Sequence, residues 1–165
     1  MPRDSFTDDA GSAREYLSGL ILQLQAARLQ RALSQRGLGA RLGMAEIVVG
    51  KWENYADLPS AGSFVRWAHA LDYTVNIVDR RRRSVGHRPT PRRLESFEDY
   101  EIRRIAAALK QARIEADHTQ ESLGELLGVS EWTIRMWETA RRQPRILHLI
   151  RWSVALNCRV VLTKA

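Results

Sequence analysis

Cysteine is almost missing: Cys158 stands alone in 165 residues. No intramolecular disulfide is possible, and nothing points to an oxidising compartment. Long apolar runs are missing too, since none approaches the roughly 20 residues needed to span a bilayer. The N-terminus carries Asp4, Asp8 and Asp9 and lacks the basic-then-apolar order of a secretion signal. Together these absences place the protein in the cytoplasm, and beside the nucleoid if its partner is DNA. The four histidines, His69, His87, His118 and His148, fall in no metal or catalytic-triad spacing, and there is no glycine-rich phosphate loop. The sequence therefore gives no ground for an enzyme, a metal or a cofactor. Lysine is scarce as well: only Lys51, Lys110 and Lys164 occur, so 23 of the 26 basic residues are arginine.

What is present begins with charge. Lys and Arg exceed Asp and Glu by 7, and the isoelectric point is near 10.3. Such an excess favours a polyanionic partner, most often nucleic acid, and arginine suits bidentate recognition.

An internal repeat organises the chain. Offset by 85 residues, Leu20 to Val78 aligns without a gap to Ile105 to Thr163, with 17 identities in 59 positions. About 4 would be expected at ordinary residue frequencies. The identities include Arg28, Gln35, Gly43, Trp52, Glu53, Pro59, Trp67 and Val75. The chain is a tandem duplication of one small helical domain, and two such units are expected to form two cores.

Within the second copy, Thr119 to Glu138 reads as helix, tight turn, helix. Thr119 caps the first helix, Leu123, Leu126 and Leu127 give it an apolar face, and Gly128 supplies the turn. Ser130 caps the second helix. Ile134 and Trp137 share one of its faces, leaving Glu131, Trp132, Arg135 and Met136 mostly on the other. A helix held by its inner face presents its outer face to a partner.

The stretch resembles the helix-turn-helix of the phage Cro and repressor family, the XRE-like domains, at Gln120, Gly128, Val129, Trp137 and Glu138. Arg113 on the preceding helix, Pro144 after a polar loop, and Ala155 and Leu156 on a closing helix extend the likeness. The resemblance implies a mainly α fold of two tandem lambda-repressor-like domains of four to five helices, each ending in a short β-strand. It also implies a sequence-specific double-stranded DNA-binding transcriptional regulator, most simply a repressor. It assigns DNA contacts to Gln35, Glu46, Ile47, Gly50 and Lys51 in copy one. In copy two it assigns them to Gln120, Ser130, Glu131, Trp132, Thr133, Arg135, Met136, Arg141, Arg142 and Arg145. Gln35 and Gln120 would meet a phosphate at a helix N-terminus. Arg28 with Glu53 and Arg113 with Glu138 would be scaffold ion pairs. Glu46 and Glu131 would either accept from cytosine N4 or offset a helix dipole. Trp132 would press on thymine methyls and sugars or meet another domain or protomer.

Residues 1–11 have no apolar period and read as a disordered tail. Ser12 with Glu15 reads as a capping box opening the first helix, which runs to about Leu33. The first domain spans 12–79, an arginine-rich linker 80–95, and the second domain 96–165, opened by a capping box of Ser96 and Asp99. Pro89 and Pro91 keep the linker from being helical. Its seven arginines suit either an arm on DNA or a solvated connection. The alternating stretches 73–78 and 158–163 read as strands that pair, within one chain as a pseudo-dimer or across a homodimer. The copies differ in charge: Ser18 to Asp79 holds six basic and five acidic residues, Ile102 to Ala165 eleven and six. Copy one also has poor helix formers at Ile47, Val48, Val49 and Gly50. It is expected to read bases weakly or to serve a protein partner, as in a DNA-binding antitoxin or a plasmid or phage maintenance protein.

Overall fold

The structure, a computed structural model, describes residues 10–165. Copy one comprises α1 (Ala10–Gln30), α2 (Gln35–Leu42), α3 (Glu46–Glu53), α4 (Ala61–Ala70) and β1 (Tyr73–Val78). Copy two repeats the order as α5 (Phe97–Glu115), α6 (Gln120–Leu127), α7 (Glu131–Glu138), α8 (Ile146–Ala155) and β2 (Arg159–Lys164).

Capping residues set most of these boundaries. The side chains of Ser34, Ser60, Ser96, Thr119 and Ser130 each accept a backbone N–H at the start of the helix that follows. Gly43 and Gly128 close α2 and α6 in the left-handed region, at φ 66° and 68°, where a side chain would be strained. Ala45 caps α3 with no side-chain bond, whereas its counterpart Ser130 accepts from the Thr133 N–H.

Four expectations are corrected here. Helix α1 is already running at Ala10, so Ser12 and Glu15 are exposed residues inside a helix and not its capping box. Residues 1–9 of the expected tail lie outside the described residues. Ser96 caps α5, but Asp99 does not complete the box: its shorter side chain accepts the Ser96 hydroxyl at 2.7 Å. Leu126 is 56% exposed, off the inner face that Leu123 and Leu127 occupy. Cys158 precedes β2: its N–H bonds to the Ser153 carbonyl at 2.9 Å, finishing α8, so the ladder starts at Arg159.

The strands pair antiparallel within the chain. In this register Asn76 faces Val161, its own counterpart 85 residues on. A second bridge joins another counterpart pair, Ser60 and Arg145. Beside it the Ala61 N–H bonds to the Pro144 carbonyl at 3.0 Å and the Ile146 N–H to the Pro59 carbonyl at 3.1 Å, again exchanging equivalents. Contacts between like residues occur only on a twofold axis, so these two pairs mark a pseudo-dyad. It enters between the starts of α4 and α8 and leaves through the sheet.

Around that axis α1 packs on α8 and α5 on α4. The apolar face of each copy is thus closed by the other, and the buried side chains form one continuous cluster. Two separate cores were expected; a single one is found, because the first helix of each copy buries its inner face across the axis. Tyr16 donates to the Val160 carbonyl of the other copy, and Arg104 to that of Val75, the equivalent position. Duplication has kept the bond and changed the donor.

The linker runs without helix, as its prolines require. Asp79 holds its first turn, accepting from the Arg81 and Arg83 N–H groups at 2.8 and 2.9 Å. Gly86 lies against α5, and Glu95 receives two bonds from Arg103, at 2.6 and 2.8 Å. Held at these points, the linker still turns its seven arginines to solvent. Those bonds from Arg103, with one from the Arg92 N–H, hold the Glu95 carboxyl down at about 2 against an ordinary 4.5. A carboxylate with a depressed pKa stabilises the fold above its unfolded value, and the contribution is lost as pH falls through the folded one. The linker clamp should therefore persist from neutral pH to below 4.5 and release as pH approaches about 2. Glu95→Gln should release it at neutral pH, seen as faster trypsin cleavage at Arg92 and Arg93 with little change in melting temperature.

Candidate nucleic-acid interface

The helix-turn-helix units are α2–α3 and α6–α7, and each is fixed to its long helix by an ion pair. Arg28 Nε and Nη2 meet the Glu53 carboxylate at 2.7 and 2.9 Å, while Nη1 reaches the Leu33 carbonyl at 2.7 Å. Arg113 repeats this with Glu138 and the His118 carbonyl. The acid side chains are 2% and 1% exposed, so the charges are desolvated and fully partnered. Gln35 and Gln120 complete the arrangement, each donating its amide to the same carboxylate at 2.9 Å. The amides stand at the starts of α2 and α6, held there by the ion pairs. A tie from this glutamine to the carboxylate is visible only in three dimensions.

Trp52 and Trp137 lie on the inner faces of α3 and α7, stacked on Trp67 and Trp152 with ring centroids 5.4 and 5.6 Å apart. With those faces anchored, the outer faces point to solvent. On α7, Glu131, Trp132 and Arg135 are exposed, and Thr133 and Met136 half-buried. Ser130 and Thr133 share a hydroxyl bond of 2.9 Å at the helix start. Arg135 approaches Glu131 at 3.4 Å, an exposed pair that costs little to open. In the loop after α7, Arg141 and Arg142 are exposed, and the Arg142 guanidinium lies 4.7 Å from the Trp132 ring centroid. Trp132 is itself 49% exposed, a large apolar surface beside cations.

Copy one presents a different surface. Glu46, Ile47 and Lys51 are exposed, with Ile47 at the place of Trp132. Gly50 stands where copy two has Arg135, half-buried beneath Gln35, whose Oε1 would lie 3.2 Å from an added Cβ. Arg36 is the nearest cation to Glu46, at 3.9 Å, and 85% of its side chain is exposed. Motif matching does not single it out, because its counterpart is Glu121.

The pseudo-dyad brings the two halves of this surface together. Arg145 reaches across it to Asp57 at 3.2 Å and to the Leu58 carbonyl at 2.7 Å. Gln143 also crosses, accepting from the Gly62 N–H at 3.0 Å and donating to Glu98 at 2.9 Å. The loops that follow α3 and α7 therefore meet at one end of the axis. The partner of Arg145 was invisible in sequence, since nothing local to either loop names it.

A family model described as Helix-turn-helix matches the chain twice, over residues 24–78 and 109–162. No curated protein and no solved structure matches it. The two matches cover well over half of the chain and coincide with the two structural copies. The chain belongs to the helix-turn-helix family of the Cro and C1 repressor type, a family of DNA-binding regulators, and carries its domain in tandem.

Proposed function

We propose that the protein is a transcriptional repressor that acts as a one-chain pseudo-dimer, laying α3 and α7 on two unlike half-sites of one operator. The observation that carries this reading is the pseudo-dyad, which relates the two helix-turn-helix units as a twofold relates a repressor dimer. Two such helices address half-sites about one helical turn, roughly 34 Å, apart on one DNA face. In this reading Gln35 and Gln120 bind phosphates at the starts of α2 and α6, where the helix dipole helps. Trp132, Thr133, Arg135 and Met136 face base edges and sugars, and Arg141, Arg142 and Arg145 lie on the backbone. Glu46, Ile47, Gly50 and Lys51 make the weaker half-site contacts, and Ser130 and Glu131 complete the start of α7. Occupancy of a promoter then excludes polymerase.

A second reading follows from the exposed apolar Ile47 and the uncapped α3: copy one docks a protein partner while copy two holds DNA. Genomic-fragment selection followed by footprinting separates the two, with wild type beside Arg135→Ala and Gly50→Glu. The pseudo-dimeric reading expects a short protected site weakened in both variants, by about 1–3 kcal/mol for Arg135→Ala. Weakening in Arg135→Ala alone would favour the second reading, and the absence of any preferred sequence would sink the specific regulator.

A further inference from the structure

Each strand turns one edge to its partner and the other outward. On β1 the outward carbonyls are those of Val75, bonded by Arg104, and Ile77, bonded by the Val85 N–H at 2.9 Å. Their counterparts on β2 are Val160 and Leu162. Tyr16 bonds the first. The outward groups of Leu162 have no hydrogen-bond partner among the described residues, although Leu162 is only 9% exposed. An unpaired strand edge is a ready template for an added strand.

The chain itself shows how such an edge is covered. Beside β1, Ser84 bridges Val78, Val85 adds to Ile77, and Gly86, at φ 82°, fits against Ala108 where a Cβ would come within 2.7 Å. The counterparts of Ile77 and Ala108 are Leu162 and Gln23, and these two line a groove of about 820 Å³ between α1 and β2. Leu20 and Val161 contribute apolar walls, while Arg80, Arg82 and Arg159 stand around it. Asp79, the acid among its lining residues, is already bonded to Arg83.

We propose that this groove receives an extended acidic segment of a partner protein, added as a strand to the outer edge of β2. Unpaired backbone groups call for a peptide, and the cationic surround sets its sign. The linker at Ser84–Gly86 supplies the pattern on the equivalent edge. The site lies at the sheet end of the pseudo-dyad, away from Ser60 and Arg145, so an occupant leaves α3 and α7 uncovered. It also joins α1 of one copy to β2 of the other.

The test is an NMR titration of the labelled full-length chain with the synthetic peptide acetyl-Asp-Glu-Ser-Val-Glu-Asp-amide, a Ser-Val pair flanked by acids. Amide shifts should concentrate at Val160, Leu162 and Lys164, and Arg82→Glu with Arg159→Glu should weaken binding at least about tenfold at unchanged melting temperature. No shift at millimolar peptide, or equal binding of the analogue with Lys for each acid, would overturn the proposal. So would the same shifts from inorganic phosphate alone, which would mark an ion site. Binding confined to the variant with Asp4, Asp8 and Asp9 changed to Asn would assign the groove to the chain's own N-terminal segment, and overturns it equally.

Discussion

Glu138→Ala is expected to lower folding stability by about 3–5 kcal/mol, because it strands a nearly buried guanidinium. Arg113 would keep only the His118 carbonyl, and Gln120 would lose the acceptor of its amide. The fold carries the same construction at Glu53, so Glu53→Ala should cost a comparable amount. Since the two copies share one core, either change should move a single cooperative transition. Urea titration followed by tryptophan fluorescence and by far-ultraviolet dichroism measures this. The two probes should give coincident midpoints, shifted far to lower urea. Glu131→Ala, on the exposed face of α7, is the control and should fall within about 0.5 kcal/mol of wild type.

The second large effect is on DNA. Changing Arg141 and Arg142 together to Gln removes two exposed cations from the loop after α7. Each phosphate contact releases condensed counterions, so the slope of log K against log salt should become shallower by about 2. Between 50 and 200 mM salt, the loss of affinity seen in wild type should shrink by about tenfold. Loss of Arg142 also uncovers the Trp132 ring, so Trp132→Ala is a useful partner measurement. That variant should alter preference among operator sequences and leave the salt slope unchanged, because an indole neutralises no phosphate. Lys51→Gln in copy one should flatten the slope by about 1 if α3 lies on DNA as α7 does.

Much of this architecture was legible in the sequence because it is written locally and written twice. Ser34, Thr119 and Ser130 announce helix starts, Gly43 and Gly128 announce turns, and alternating β-branched residues announce β1 to the residue. The ion pairs are implied by the family resemblance, and their recurrence in both copies supports it. What escaped depends on how the copies meet. The shared core follows from α1 crossing to α8 and α5 to α4, and no periodicity within a helix says which neighbour its apolar face will find. The tie of Arg145 to Asp57, and the placement of Arg104 against the Val75 carbonyl, span the pseudo-dyad in the same way. Arg104 illustrates the difficulty well. In sequence it is one more surface arginine on α5, yet it is 8% exposed, paired with Glu101 and bonded to Asn76 at 3.1 Å. The alternation of Cys158 with Val160 and Leu162 draws Cys158 into the strand, while the helix that precedes it claims its N–H.

Whether a single chain is itself the reading unit is tested most directly by hydroxyl-radical footprinting of a selected operator at measured stoichiometry. A one-chain pseudo-dimer predicts one protein per site and two protected patches about one helical turn, roughly 10 base pairs, apart on one face of the duplex. Arg135→Ala should fade one patch before the other. Two chains per site, or a single patch that spans one half-site only, would contradict the account.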